Sequence, residues 1–230
     1  TVTVNAVNDA PVATAGLSGA TDEDQSTVVT LSGSDIDGDN LTFTIGSATN
    51  GTLELNGSLV TYTPDANYNG SDSFDFTVSD GEYSSTESVT LTVSAVNDAP
   101  VLATVSDVSF DEDGTTSITL SASDVDGDDL TYNITGGSDI TASLLGSDVS
   151  FSAPANYNGS EEFTVSVTDG TETDSQSITV TVNAVNDAPV ATAGLSGTTN
   201  EDQSTVVTLS GSDIDGDDLT FTVGSALNGT

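Results

Sequence analysis

Three carboxylates stand at alternate positions in Asp35-Ile36-Asp37-Gly38-Asp39, and the pattern returns at Asp124, Asp126, Asp128 and at Asp213, Asp215, Asp217. Oxygen donors crowded into a short glycine-containing loop suit a hard divalent cation, since Ca²⁺ accepts about six to eight oxygens at about 2.3–2.6 Å. The run is not an EF-hand. Glycine stands fourth in the loop rather than sixth, and Gly46 fills the twelfth place, where that motif needs a bidentate glutamate. Taken alone, the motif reads equally as an acidic turn between strands.

Composition sharpens the choice. The 230 residues include 37 acids and no Lys, Arg or His, a formal charge of −37 that nothing inside the chain can neutralise. Such a charge opposes compaction and keeps the chain off nucleic acid and anionic membranes. Apolar residues nevertheless alternate regularly, which argues for a folded chain whose counter-ions come from outside. The absence of Cys excludes disulfides and thiolate sites, and the absence of His removes triads, most zinc sites and the usual general base. Carboxylate pairs of the glycosidase kind sit in aromatic-lined clefts, and only 5% of this chain is aromatic. The expectation is a non-enzyme. No apolar stretch approaches the roughly 20 residues that span a bilayer.

The elements that position these loops follow from a repeat. Ala-Val-Asn-Asp-Ala-Pro-Val occurs three times, with Asn8, Asn97 and Asn186 spaced by 89 residues. A fixed period this long marks a tandem array of one folded unit. Residues 1–11 read as the end of a preceding unit plus linker, 12–93 as a complete repeat, 94–100 as a linker, 101–182 as a second repeat, 183–189 as a linker and 190–230 as a partial third. Residues 1–52 and 179–230 differ at five positions only: Ala20/Thr198, Asp22/Asn200, Asn40/Asp218, Ile45/Val223 and Thr49/Leu227. The higher-order unit is therefore a duplicated pair.

Period-two alternation predicts strands at 41–45, 74–78 and 89–93, with others at 28–31, 52–55 and 59–63 and a short one after Pro11. Asn56-Gly57 reads as a hairpin turn. About seven strands with no helical run predict an all-β chain of tandem seven-stranded Greek-key β-sandwich modules stacked end to end. Tyr68 and Tyr157 suit the corner of such a sandwich. In that topology the linker, the Asp35–Asp39 loop and Asp80 share the top of a unit. The Asp22-Glu23-Asp24 turn and Asp72 share the bottom. Stacking would bring three sets of acids into one gap, where they repel unless cations intervene.

Here the motifs carry a resemblance. Val-Asn-Asp-Ala-Pro-Val resembles the Asn-Asp-x-Ala-Pro linker of cadherin repeats, Asp35-Ile-Asp37 resembles their Asp-x-Asp loop, and Glu23 resembles the acid near their first strand. The whole unit is similar to the cadherin-like (immunoglobulin-like) repeats of very large RTX-type bacterial surface adhesins, in which junction calcium rigidifies the string. The resemblance implies Ca²⁺ ligands at three places. Asn8, Asp9, Asp35, Asp37, Asp39 and Asp80 form the first set. Glu23, Asp24, Asp72, Asn97, Asp98, Asp124, Asp126, Asp128 and Asp169 form the second, and Glu112, Asp113, Glu161, Asn186, Asp187, Asp213, Asp215 and Asp217 the third. Asp72 and Glu161 are positional substitutes for an Asp-Arg-Glu motif that this Arg-free chain lacks. The implied function is a non-catalytic, calcium-rigidified extender in a longer secreted or cell-surface adhesin. Its partners would be adjacent repeats and, as an alternative, other copies in a filament or sheath. A spacer within a secreted enzyme is the remaining alternative.

Overall fold

The structure is a computed structural model describing residues 1–225; Leu227, one of the five divergent positions, lies outside them. Among those residues all regular structure is β-strand. No helix among the described residues is long and apolar enough to cross a membrane. The chain divides into two compact units, Thr1–Asp98 and Ala99–Thr230.

The first unit contains β1 (Val12–Ala13), β2 (Ser18–Asp22), β3 (Thr27–Thr30), β4 (Gly33–Ser34), β5 (Thr42–Ile45), β6 (Gly51–Asn56), β7 (Leu59–Pro64), β8 (Gly70–Ser79) and β9 (Ser84–Ser94). A four-stranded sheet in the order β2-β9-β8-β5 faces a three-stranded sheet in the order β3-β7-β6, and β1 pairs with β4. Between the sheets lie Val29, Leu31, Val60, Tyr62, Phe74, Phe76, Val78, Val89, Leu91 and Val93. This is the β-sandwich that the alternation predicts.

Two details differ from the sequence reading. The first strand is split: β1 pairs antiparallel with β4, whereas β2 runs parallel to β9. Gly16, at φ 75°, lies in the turn between β1 and β2 and supplies the left-handed bend. The strand β2 was silent in the sequence because Gly19 sits against Val29 and Leu91. A Cβ there would come within 2.7 Å of Val29 Cγ2, so no apolar signal can stand at that position. The hairpin turn is also displaced by one residue. Asn56 pairs with Leu59, leaving Gly57-Ser58 as the two-residue loop, with Gly57 at φ 64°. Glycine first in such a loop is the type II′ pattern.

The second unit contains β10 (Val101–Leu102), β11 (Val108–Asp111), β12 (Thr115–Thr119), β13 (Ala122–Ser123), β14 (Thr131–Gly136), β15 (Thr141–Leu145), β16 (Asp148–Ser152), β17 (Gly159–Thr168), β18 (Thr173–Asn183), β19 (Val190–Ala191) and β20 (Gly211–Ser212). Its sheets repeat the pattern, β11-β18-β17-β14 facing β12-β16-β15. Phe151 and Phe163 meet edge to face in its core with ring centroids 5.4 Å apart. Beyond the second linker, among the described residues, the regular structure is the pair β19 and β20. Val207 and Leu209, counterparts of the buried Val29 and Leu31, remain 41% and 39% exposed, because no strands matching β6–β9 cover them among the described residues.

Candidate metal centre

Each Asp-x-Asp-Gly-Asp loop is organised by its first carboxylate. Asp35 Oδ1 accepts the N–H groups of Asp37, Gly38 and Asp39 at 2.9, 3.0 and 3.3 Å. Asp124 Oδ1 accepts those of Gly127 and Asp128, and Asp213 Oδ1 those of Asp215 and Asp217. Gly38, Gly127 and Gly216 provide the left-handed residue at φ 82°, 80° and 81°. One oxygen is thus spent on shaping the loop. The other, Oδ2 of Asp35 and of Asp124, is buried without a protein donor. In the second loop, one carboxylate oxygen each from Asp124, Asp126 and Asp128 lie within 4.8 Å of one another.

At the top of the first unit the linker meets this loop. Asp9 N–H donates to Asp37 Oδ2 at 2.8 Å, and Asn8 Nδ2 donates to Asp80 Oδ2 at 3.0 Å. Asp80 Oδ1 is occupied by the N–H groups of Tyr83 and Glu82, which hold its carboxyl below the usual range. Asp169 makes the equivalent turn with Thr171 and Glu172. At the bottom, Glu23 is 4% exposed; its Oε1 accepts Val96 N–H at 2.5 Å, while Oε2 is buried without a partner. Asp24, at φ 57°, accepts the N–H of Asn67 through Oδ1. In that linker Asn97 Nδ2 donates to the carbonyl of Asp98, the last residue of the unit.

The second unit holds a lower turn, a linker and an upper loop together. Glu112, 7% exposed, accepts Val185 N–H at 2.5 Å, and Asp187 N–H donates to Asp215 Oδ2 at 2.6 Å. Asn186 Nδ2 bonds the carbonyl of Asp187. Alternate linker N–H groups therefore go to the turn behind and the loop ahead. Burial, then the carboxylates of Asp215, Asp113, Glu112 and Asp213, push the Asp187 carboxyl up, and its Oδ2 is buried without a donor. Carboxylates of the lower turn and of the upper loop thus both act on this one linker residue. Asp217 lines an adjoining hollow with Asn186 and Asp213.

Asp72 and Glu161 do something else. Asp72 Oδ1 accepts Thr49 and Ser73 N–H, and Oδ2 accepts Asn50 N–H with the Tyr62 hydroxyl 3.1 Å away. Glu161 Oε1 accepts from Ser138 Oγ and Asp139 N–H, and Oε2 from Ser138 and Ile140 N–H. A carboxylate has about four lone-pair sites. Asp72 thereby anchors Thr49 and Asn50 of the loop between β5 and β6 beside β7 and β8, and Glu161 meets four donors of the loop between β14 and β15, so both carboxylates serve as clamps. The sequence placed them as ligands because it shows position along the chain and not the donors that surround it. The converse omission is Asn156, whose N–H holds Asp113 Oδ1 at 3.1 Å and which lines a hollow of about 570 Å³ with Asp187 and Asp213. Its recurrence as Asn67 in Ala-Asn-Tyr-Asn was the available signal. The neighbouring Tyr68 hydroxyl donates to the Ser71 carbonyl at 2.7 Å, a structural role.

The model of the bacterial Ig domain matches residues 8–94, 97–182 and 186–230. Among curated proteins none matches this chain. Of solved structures, Drosophila N-cadherin EC1-4 is similar at 18% identity and TM-score 0.56, covering 78% of this chain and 50% of its own. Human protocadherin-24 EC1-2 (form II) is similar at 16% identity and TM-score 0.52, covering 79% of this chain and all of its own. The endo-fucoidan hydrolase MfFcnA4 of glycoside hydrolase family 107 shares 27% identity over 76% of this chain and 29% of its own, at TM-score 0.35. The chain thus spans between about a third and a half of the longer of these proteins.

Proposed function

Because the chain belongs to the bacterial Ig domain family, we propose that it is an extender: a non-catalytic, extracellular run of repeats whose linkers are stiffened by calcium. One observation carries this reading. Asp187 sits where burial, and then the carboxylates of Asp215 and Asp213 from one side and Asp113 and Glu112 from the other, raise its proton affinity, in a chain without a single basic side chain. Every available donor is an oxygen, the set that Ca²⁺ prefers, and buried carboxylate oxygens at Glu23, Asp35, Asp124 and Asp187 lack a protein partner. The residues therefore fit the ion. Calcium bound there would supply the positive charge that the chain lacks.

The remaining work belongs to the protein. Glu112 and Asp215 fix the linker backbone, the Asp213 turn presents its carboxylates, and Asp187 joins the two sets. An ion that binds this arrangement better than a flexible linker stabilises it by RT ln(1 + [Ca²⁺]/Kd). At about ten times Kd that is about 1.4 kcal/mol per site. Without the ion the same acids repel, so a low-calcium compartment favours a looser chain, in keeping with export before stiffening. Lateral assembly of copies is a second reading, favoured by the exposed Ile36, Val125 and Ile214 between the first two aspartates of each acidic loop. Concentration-dependent sedimentation separates it from a monomeric extender.

Thermal melts in chelator, in millimolar Ca²⁺, in equal Mg²⁺ and in NaCl of matched ionic strength test the main reading. A large upward shift with Ca²⁺ alone is expected. Equal shifts in all salts would mean charge screening only and would remove the site.

A further inference from the structure

We propose that Asn156 is a neutral oxygen donor on the lower rim of the acidic gap around Asp187. This rests on the calcium reading above. With Glu161 fully engaged by its own repeat, the lower rim offers Glu112 and Asp113, each with one oxygen already committed. Asn156 is the further oxygen-bearing residue on that side of the hollow shared with Asp187 and Asp213.

Its backbone supports a side-chain role. Asn156 and Asn67 both sit at φ 56°, a left-handed conformation that glycine adopts at lower cost. Were the bend and the N–H to Asp113 or Asp24 all that mattered, glycine would serve at both positions. Asparagine keeps the bend and adds an amide oxygen, a ligand type that Ca²⁺ accepts. A neutral donor also suits the electrostatics. Asp187 already faces four carboxylates, and a fifth in place of Asn156 would add repulsion whenever the ion is absent.

The test uses the full chain with Asn156→Gly, followed by calcium titration calorimetry and melts in chelator. Glycine preserves the left-handed backbone and its N–H, so the chelated melt should hardly move. Calcium affinity should fall by about tenfold, the low end of what losing a supporting group costs a metal site. Asn156→Asp should do the reverse, binding calcium more tightly while melting earlier in chelator. Unchanged calcium affinity in Asn156→Gly would overturn the proposal and leave the calcium reading intact. Wild-type chain that takes up no calcium would overturn both.

Discussion

Replacing Glu161 with glutamine removes one charge and converts one acceptor oxygen into a donor amide, with almost no change in shape. In either orientation of the amide, two of the four donors at 2.7–3.0 Å would face an NH₂ group: Ser138 Oγ and Asp139 N–H, or Ser138 and Ile140 N–H. Hydrogen bonds to a charged group contribute about 1.5–3 kcal/mol each. Most of this loop is exposed and water can replace part of the loss, so a net cost of about 2 kcal/mol is expected. For a domain of this size each kcal/mol moves the melting temperature by about 4–8 °C, giving a fall of about 8–16 °C. Differential scanning calorimetry on the full chain should show the same fall in chelator and in calcium. A fall confined to the calcium sample would refute the reasoning and restore Glu161 as a ligand. Acid titration gives a second readout. The Asp139 N–H, opposed by burial and helped by the Ser138 hydroxyl and the Ser138 and Ile140 N–H groups, holds the Glu161 carboxyl at about 2. The folded value lies below the unfolded value of about 4.3, so the stabilisation is complete above the latter and is lost as pH falls toward about 2. The gap between wild type and variant should close across that window.

Tyr62→Phe should cost only about 1 kcal/mol in urea unfolding, because Asn50 O retains the Asp65 N–H and Asp72 retains three backbone donors. Phe151, 89 residues on, occupies the equivalent core position as phenylalanine. Gly146→Ala, at φ 63° with open space around the added methyl, should destabilise by about 1 kcal/mol through backbone conformation alone, read from the same unfolding curves. Asp187→Asn should change sign with conditions, raising the melting temperature in chelator and lowering it in calcium. The same sign in both would count against a metal at that residue.

What the sequence determined by itself was whatever repeats locally. The 89-residue step and the alternation at Phe74, Phe76, Val78 and at Val89, Leu91, Val93 were enough for the sandwich, since a two-residue period has one way to bury a face. The Asp-x-Asp-Gly-Asp loops were legible because their shaping bonds span at most four residues. The strand β2 was not, because its inward Gly19 is small for the sake of Val29 and Leu91, neighbours that only folding supplies. The same applies to Asp72, Glu161 and Asn156. Whether a carboxylate is a clamp or a candidate ligand depends on which donors reach it, and many of those come from residues about 20 or more positions away, as Thr49 does for Asp72, Ser138 for Glu161 and Asn156 for Asp113. Glu112 and Val185 are 73 residues apart, yet their bond anchors the linker that carries Asp187 into the acidic gap. Chemistry of this kind is decided by tertiary proximity, which spacing along a chain can suggest and only packing can assign.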